Sequence, residues 1–281
     1  MSPVHDQSYR RYAGTRRPPG QAWMVILRHG LRTFLARKVF LGLLLLAWVP
    51  FIVRSVQIYA VVTYPQAAQV LPIGPGMFRD FVDMQGTFAF FVTVFVGAGL
   101  IANDRRANAL QVYLSKPLRR VEYVAGKFGI LAVSLTAVTL LPAVMLLIMQ
   151  ILLAGSIDLH RTYPGIAPAV IIASLLRVVV PALAMLALSS LSTSSRYVAV
   201  LYAGLLFVSE ALYGILTLVT GSTRVAWVSF SRNFDVVTDA LFRLPPRYET
   251  PPMVAWLVLV GVAVVAVSVL ERRVRGVEVV S

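Results

Sequence analysis

The chain has 281 residues, of which 58% are hydrophobic and only 14% are charged, and its formal net charge at pH 7 is +14. Because proteins average about 25% charged residues, this composition excludes a soluble enzyme and a disordered chain, and it indicates an integral membrane protein. The sequence contains no cysteine, which also excludes disulfides, thiolate catalysis and cysteine-based metal sites.

The N-terminal region divides into two predicted parts. Residues 1–20 form a basic tail, and residues 21–38 have the pattern of an amphipathic helix. Trp23 and Leu27 belong to its apolar stripe, whereas Arg28 lies on the opposite face. A helix of this kind lies in the membrane interface, where it serves either as a simple anchor or as a contact surface for a partner.

Six apolar stretches follow, each long enough to cross a bilayer, whose hydrocarbon core needs about 20 residues per helix. They are continuous runs of Leu, Val and Ala, which favours helices over the alternating strands of a β-barrel. We therefore predict an all-α integral membrane protein with six transmembrane helices within residues 39–270. The predicted spans are 39–62, 81–102, 128–154, 167–191, 198–220 and 254–270.

Most of the 26 Lys and Arg residues fall on one side of this topology, the side that carries both termini. The positive-inside rule makes that side cytoplasmic. We therefore expect a multi-pass protein of the plasma (inner) membrane with both termini in the cytoplasm, including a short tail at 271–281. The positive charge then faces the anionic lipid of the bilayer, and no nucleic-acid partner is expected.

The loop at residues 103–127 is the longest predicted cytoplasmic connection, and it is long for a simple turn. Ala107, Leu110 and Leu114 would share one face of a helix that Pro117 ends. This pattern predicts a docking element for a partner; the alternative is a loop that only anchors in anionic lipid.

Two ionisable residues lie deep inside predicted spans, where charge is costly and marks function or pairing. Arg177 in the fourth span and Glu210 in the fifth span lie at similar depths from the outer side. We predict that they form an ion pair with each other. The alternative is that each faces a water-filled cavity or a partner subunit.

The outer segment at residues 221–252 contains a second amphipathic stretch before Pro245. It is expected either to lie on the outer membrane surface or to re-enter the membrane in part. Its apolar stripe consists of Trp227, Phe230, Phe234, Val237 and Leu241.

Motifs for catalysis are missing from the sequence. Gly126-Lys127 is followed by Phe128, so the chain has no phosphate-binding loop for ATP, and it has neither a His-Glu-x-x-His metal motif nor a Gly-x-Ser-x-Gly nucleophile motif. We therefore expect a protein that is not an enzyme, with no catalytic residues, no metal ligands and no cofactor of its own.

The segment at residues 99–127 resembles the first cytoplasmic loop of export-type ATP-binding cassette (ABC) permeases, the ABC type-2 family. The matching features are Asp104 after the second span, the Ser-x-Pro step at Ser115–Pro117, a basic residue at Arg119 or Arg120, and Gly126-Lys127 before the third span. The family's Gly-Thr pair is replaced by Asn108-Ala109 or Ala107-Asn108.

This resemblance implies a permease subunit that exports an unidentified substrate. It would pair with a second permease subunit, as a homodimer or a heterodimer, and dock on a separate ABC ATPase subunit that binds ATP and Mg²⁺. The expected coupling residues are Asp104, Arg105, Arg106, Leu110, Leu114, Pro117 and Arg120. An ion-driven transporter or channel, and a membrane anchor or assembly protein without transport, remain as alternatives.

Overall fold

A computed structural model describes residues 20–109 and 119–274 of the chain. Of the expected coupling residues, Leu110, Leu114 and Pro117 lie outside the described residues, as do most of the two predicted tails. The helices, in chain order, are α1 (Ala22–Leu35), α2 (Lys38–Thr63), α3 (Pro75–Val92), α4 (Ala102–Arg106), α5 (Arg120–Val138), α6 (Leu140–Ala154), α7 (Asp158–Thr162), α8 (Ile166–Leu191), α9 (Ser195–Thr220), α10 (Phe230–Leu241) and α11 (Pro252–Arg273).

Six segments of the described chain are long and apolar enough to cross a membrane, and the protein is an all-α, multi-pass membrane protein. The second span joins α3 to α4 through a π-helical turn (Thr93–Gly97), and the third span joins α5 to α6. The six spans are Lys38–Thr63, Pro75–Arg106, Arg120–Ala154, Ile166–Leu191, Ser195–Thr220 and Pro252–Arg273.

The predicted number and order of spans are confirmed, but two spans begin earlier than predicted. The second begins at Pro75 and the third at Arg120, because charged residues such as Arg79 and Glu122 interrupt the apolar pattern without ending the helix. The predicted N-terminal helix also forms, as α1, and it ends before Arg37.

Successive spans run in opposite directions, so the start of α2 and the end of α11 lie on the same side of the bundle. We call this side proximal; it carries α4, the start of α5 and the start of α9. The opposite, distal side carries the connections 64–74, 155–165 and 221–251.

The fourth span, α8, forms the centre of the bundle. In the most apolar part of α8, 67% of the residues are buried, whereas the corresponding figure for the fifth span, α9, is 11%. α8 is more deeply buried because it is surrounded by the second, third and sixth spans and by α10. The fifth span therefore presents most of its apolar surface outwards.

Two spans contain breaks in regular helix, and the fourth contains a proline inside a continuous helix. The second has its π-helical turn at Thr93–Gly97, and the third is interrupted at Thr139. Pro142 accounts for the second of these breaks, because its ring removes a backbone N–H donor and clashes with the preceding turn. Pro181 lies inside α8. Helices bend most readily at such positions.

The distal amphipathic stretch forms α10, which packs into the bundle against α8 and α11 and is not a surface helix. Phe230, Phe234 and Val237 of its predicted apolar stripe are buried, whereas Trp227 is about half exposed. Ser229 caps the helix, because its Oγ accepts a hydrogen bond from the backbone N–H of Arg232 (3.2 Å).

Candidate functional site

Asp104 ties together the two spans that flank the proximal loop. Its Oδ2 lies 2.7 Å from Nζ of Lys127 and accepts a hydrogen bond from the hydroxyl of Tyr123 at 2.7 Å. Both charged side chains are mostly buried, at 18% and 13% exposed. The end of the second span is therefore held against the start of α5.

The same end of the second span is also attached to the end of α8. Arg105 donates a hydrogen bond to the carbonyl of Ser190. Ser189 Oγ accepts a hydrogen bond from the backbone N–H of Ala102 and donates one to the carbonyl of Ala98, both at 3.0 Å. We call this set of contacts around Asp104, Arg105 and Ser189 the proximal junction.

α1 packs against α5 at distances that only glycine permits. A Cβ at Gly126 would lie 2.8 Å from Cβ of Ile26 and 3.0 Å from the carbonyl oxygen of Trp23. A Cβ at Gly30 would overlap the side chain of Ile130. Since this contact involves backbone as well as side chains, α1 and α5 form one tightly packed unit beside the proximal junction.

Four of the seven expected coupling residues lie in the described part of the chain. Asp104 and Arg105 belong to the proximal junction, whereas Arg106 and Arg120 are exposed beside it. The structure therefore separates residues that tie the spans together, Asp104 and Arg105, from residues that are exposed at the surface, Arg106 and Arg120.

The structure corrects the predicted ion pair between Arg177 and Glu210. Arg177 pairs instead with Asp83 of α3, and its Nη2 lies 3.5 Å from Oδ1 of Asp235. Glu210 accepts a hydrogen bond from Nε of Arg232 at 2.8 Å. The physical reason is that α10 packs between the two spans and brings a counter-charge for each.

These pairs belong to a larger set of ionised groups on the distal side. Asp235 contacts Arg232 at 3.7 Å as well as Arg177, and Arg247 lies 2.8 Å from Asp83. Through Asp235 and Arg232, the residues of the predicted pair are connected indirectly. The charged network comprises Arg79, Asp83, Arg177, Glu210, Arg232, Asp235, Asp239 and Arg247.

The sequence interpretation counted the α10 charges as ordinary loop charges and so missed their role. A signal was present, because Arg232, Asp235 and Asp239 recur at helical spacing opposite the phenylalanine stripe. Charges at i, i+3 and i+7 on one face of a packed helix require partners from neighbouring helices.

The environment of the network shifts the pKa values of Arg232, Asp235 and Arg247. Burial, with the nearby charge of Asp83, raises the pKa of the Asp235 carboxyl and outweighs the opposing effect of the surrounding arginines. Burial alone would lower the pKa of Arg232, but its hydrogen bond to Glu210 and the neighbouring Tyr248 raise it above the usual range. Arg232 is therefore expected to be charged.

Five members of the charged network line a distal cavity of about 420 Å³ between α3, α8, α9 and α10, namely Asp83, Arg177, Glu210, Arg232 and Asp235. Aromatic rings form another part of its wall, including Phe90, whose ring centroid is 5.9 Å from that of Phe207. Gly86 makes room for the guanidinium group, because a Cβ there would lie 2.7 Å from Nη1 of Arg177. A cavity of this size with apolar walls and a few charges is typical of a small-molecule site.

The fold and these two sites define the class of the protein: an all-α, multi-pass membrane protein with a proximal junction and a charged distal cavity. Within the described residues, no group of three or more His, Asp or Glu side chains is arranged to hold a metal ion. No protein-family model matches the chain, and no curated protein matches it significantly.

Proposed function

We propose that this chain is the membrane-spanning permease subunit of an ATP-driven ABC transporter. The observation that carries the proposal is the ion pair between Asp104 and Lys127, which closes the base of the loop that resembles the coupling loop of export-type permeases. A separate ATPase subunit would bind this loop in the cytoplasm. A second permease subunit, identical or related, would complete the transporter.

The proximal junction supports a coupling role because it joins three spans. Asp104 connects the second span to the third, and Ser189 connects the second span to the fourth. A force applied to the loop would therefore act on the three spans together. ATP can drive the movement only if it binds one state of the ATPase pair more tightly than the other.

The breaks in the spans support a conformational change between the proximal junction and the distal cavity. The π-helical turn Thr93–Gly97, the interruption at Thr139 and Pro181 lie in the same three spans that the junction connects. Bending at these positions would convert a proximal displacement into a change in the shape of the distal cavity, which is where a substrate would bind or pass.

The exposed fifth span offers an apolar surface on which the proposed second permease subunit would pack. Leu201, Phe207 and Val208 of α9 are at least half exposed although they are strongly apolar. Lipid tails or the second permease subunit would cover this surface.

A second candidate function is an ion-driven transporter or channel, and the charged network favours it. Asp83, Glu210 and Asp235 all line the distal cavity, and such clusters of ionisable groups bind coupling ions in other membrane transporters. This candidate requires transport without an ATPase, which separates it from the first.

The two candidates are tested by co-expressing the chain with ATPases encoded beside it and measuring co-purification and ATP hydrolysis in nanodiscs. We expect the wild type to bind one ATPase and to stimulate its hydrolysis, and we expect the Asp104→Asn/Lys127→Gln variant to lose the stimulation. The matched control is Asp158→Asn/Arg161→Gln, which removes an exposed pair on the distal side (3.9 Å) and should leave stimulation unchanged.

Deletion of residues 105–115 should abolish ATPase binding, and retained binding would refute the docking proposal. If no ATPase binds, and substrate uptake into vesicles follows a proton or sodium gradient without ATP, the ion-driven function replaces the first. If neither ATP nor a gradient supports transport, the chain is a membrane anchor or assembly protein.

A further inference from the structure

A second, larger cavity of about 700 Å³ lies on the proximal side, between α1, the π-helical turn, α5 and the start of α9. One stripe of α1 forms a wall of this proximal cavity, while Arg28 and Arg32 of the same helix lie outside it. The residues of that stripe are Val25, Ile26, His29, Gly30, Thr33 and Phe34, and Arg37, just after the end of α1, continues the same wall.

The wall of the proximal cavity is apolar in its deeper part. Phe34 and Phe95 meet edge to face with their ring centroids 6.4 Å apart, and Val94 lies beside them. Val25 is 47% exposed although it is apolar. This part of the cavity is suited to hydrocarbon rather than to a strongly hydrated solute.

The charged residues of the lining are mostly basic. Lys127 is neutralised by Asp104, but Arg37 and Arg196 have no acidic partner anywhere in residues 20–109 or 119–274. The guanidinium carbon of Arg37 lies 5.2 Å from the ring centroid of Phe34, so a cation stands directly beside the apolar wall. The cavity therefore combines two unpaired arginines with a hydrocarbon-like surface.

We propose that the proximal cavity binds an anionic phospholipid. Arg37 and Arg196 hold its phosphate, because guanidinium groups bind phosphate oxygens in bidentate geometry. An acyl chain packs along Val25, Phe34 and Phe95. The net charge of +14 also favours anionic over zwitterionic lipid. The proposal does not depend on whether the chain transports a substrate.

A bound lipid at this position would touch the proximal junction. Asp104 and Lys127 belong both to that junction and to the lining of the cavity. Lipid occupancy is therefore expected to influence the packing of α1 against the second span and α5, and to make the stability of the junction sensitive to the anionic lipid content of the membrane.

The test is a titration of the detergent-purified full chain with phosphatidylglycerol or phosphatidylcholine, in which native mass spectrometry counts the bound lipids. We expect the wild type to prefer phosphatidylglycerol. The variant Arg37→Gln/Arg196→Gln should weaken phosphatidylglycerol binding by about 25-fold, because each of its two basic side chains beside an anionic lipid contributes about fivefold. Its binding of phosphatidylcholine should not change.

The matched control is Arg28→Gln/Arg32→Gln, which removes the same charge from exposed positions of α1 outside the cavity. It should change phosphatidylglycerol binding by less than about twofold, because the salt in the solution screens charges that do not touch the lipid. Equal losses in the two variants would overturn the proposal, since binding would then reflect net charge alone.

Two further experiments complete the test. The first distinguishes a lipid from a soluble anion as the ligand, and the second distinguishes loss of a specific binding surface from loss of folding. Millimolar glycerol 3-phosphate should not displace the lipid, and displacement would show a site for a free phosphate compound instead. Val25→Ser should weaken binding more than Met24→Ser, because both side chains are about half exposed but only Val25 lines the cavity. Each variant is compared with the wild type by thermal unfolding, and equal effects of the two serine substitutions would contradict the assigned acyl-chain surface.

Discussion

Glu210 of the fifth span and Arg232 of α10 form an ion pair in which Arg232 Nε donates to Glu210 Oε1 at 2.8 Å. The hydroxyl of Ser229 donates a second hydrogen bond to the same carboxylate at 2.7 Å. The fifth span is the least buried of the six. The pair therefore attaches the most exposed span to the helix that closes the distal side of the bundle.

A double-mutant cycle on Glu210 and Arg232 should detect this pair. The side chains are about one-third exposed, so solvent reduces the interaction and we expect a coupling free energy of about 1 kcal/mol or less. The control cycle combines Glu210→Ala with Arg177→Ala, residues that do not contact each other, and it should be closer to additive. Stronger coupling in the control cycle would restore the ion pair that the sequence predicts.

Removing Asp83 should destabilise the protein more than removing an exposed acid. Arg177 is only 7% exposed, and Asp83→Ala leaves it with the longer contact to Asp235. Breaking a buried pair in this way is expected to lower the free energy of unfolding by about 3 kcal/mol. Asp158→Ala, which breaks an exposed pair, should cost less than about 1 kcal/mol in the same unfolding assay.

The pH dependence of stability should carry a contribution from Asp235. Its pKa is raised in the folded state, so the folded protein binds this proton more tightly than the unfolded chain does. The stabilisation is therefore complete below the ordinary Asp pKa and is lost as the pH rises through the raised pKa. The groups facing Asp235 are Asp83, Arg177, Arg232 and Arg247.

Asp235→Asn should remove this loss, so its unfolding midpoint should fall less steeply than that of the wild type as the pH rises above the ordinary Asp range. The measurement is thermal unfolding of both proteins across that range. If the wild type instead gains stability relative to the variant over the same pH range, the arginines, and not burial, determine the direction in which the pKa of Asp235 is shifted.

The contact between α1 and α5 should not tolerate even one added methyl group. Gly126→Ala places a Cβ 2.8 Å from Ile26 and 3.0 Å from the backbone of Trp23, so α1 must shift. We expect a loss of about 1–3 kcal/mol, measured by thermal unfolding, and faster proteolysis of α1. The control is Gly261→Ala in α11, where a Cβ meets nothing within 4 Å and where the higher helix propensity of Ala should stabilise slightly.

The sequence by itself determined the membrane class, the six spans, the helix at residues 22–35 and the amphipathic stretch around Phe230 and Phe234. These are local properties, because the apolar length of a segment and the spacing of its apolar residues do not depend on the rest of the chain. The early starts of the second and third spans were missed for the same reason, since local charge lowered the apolar signal there.

Only the tertiary structure decided which charges meet. The sequence placed Arg177 and Glu210 at similar depths, but depth does not specify which faces of two helices oppose each other or what packs between them. In the folded protein α3 supplies Asp83 and α10 supplies Asp235 as partners of Arg177, while α10 supplies Arg232 as the partner of Glu210. The two cavities and the junction at Asp104 are likewise products of helix packing, which brings together residues far apart in the chain and has no counterpart in a pattern of neighbouring residues.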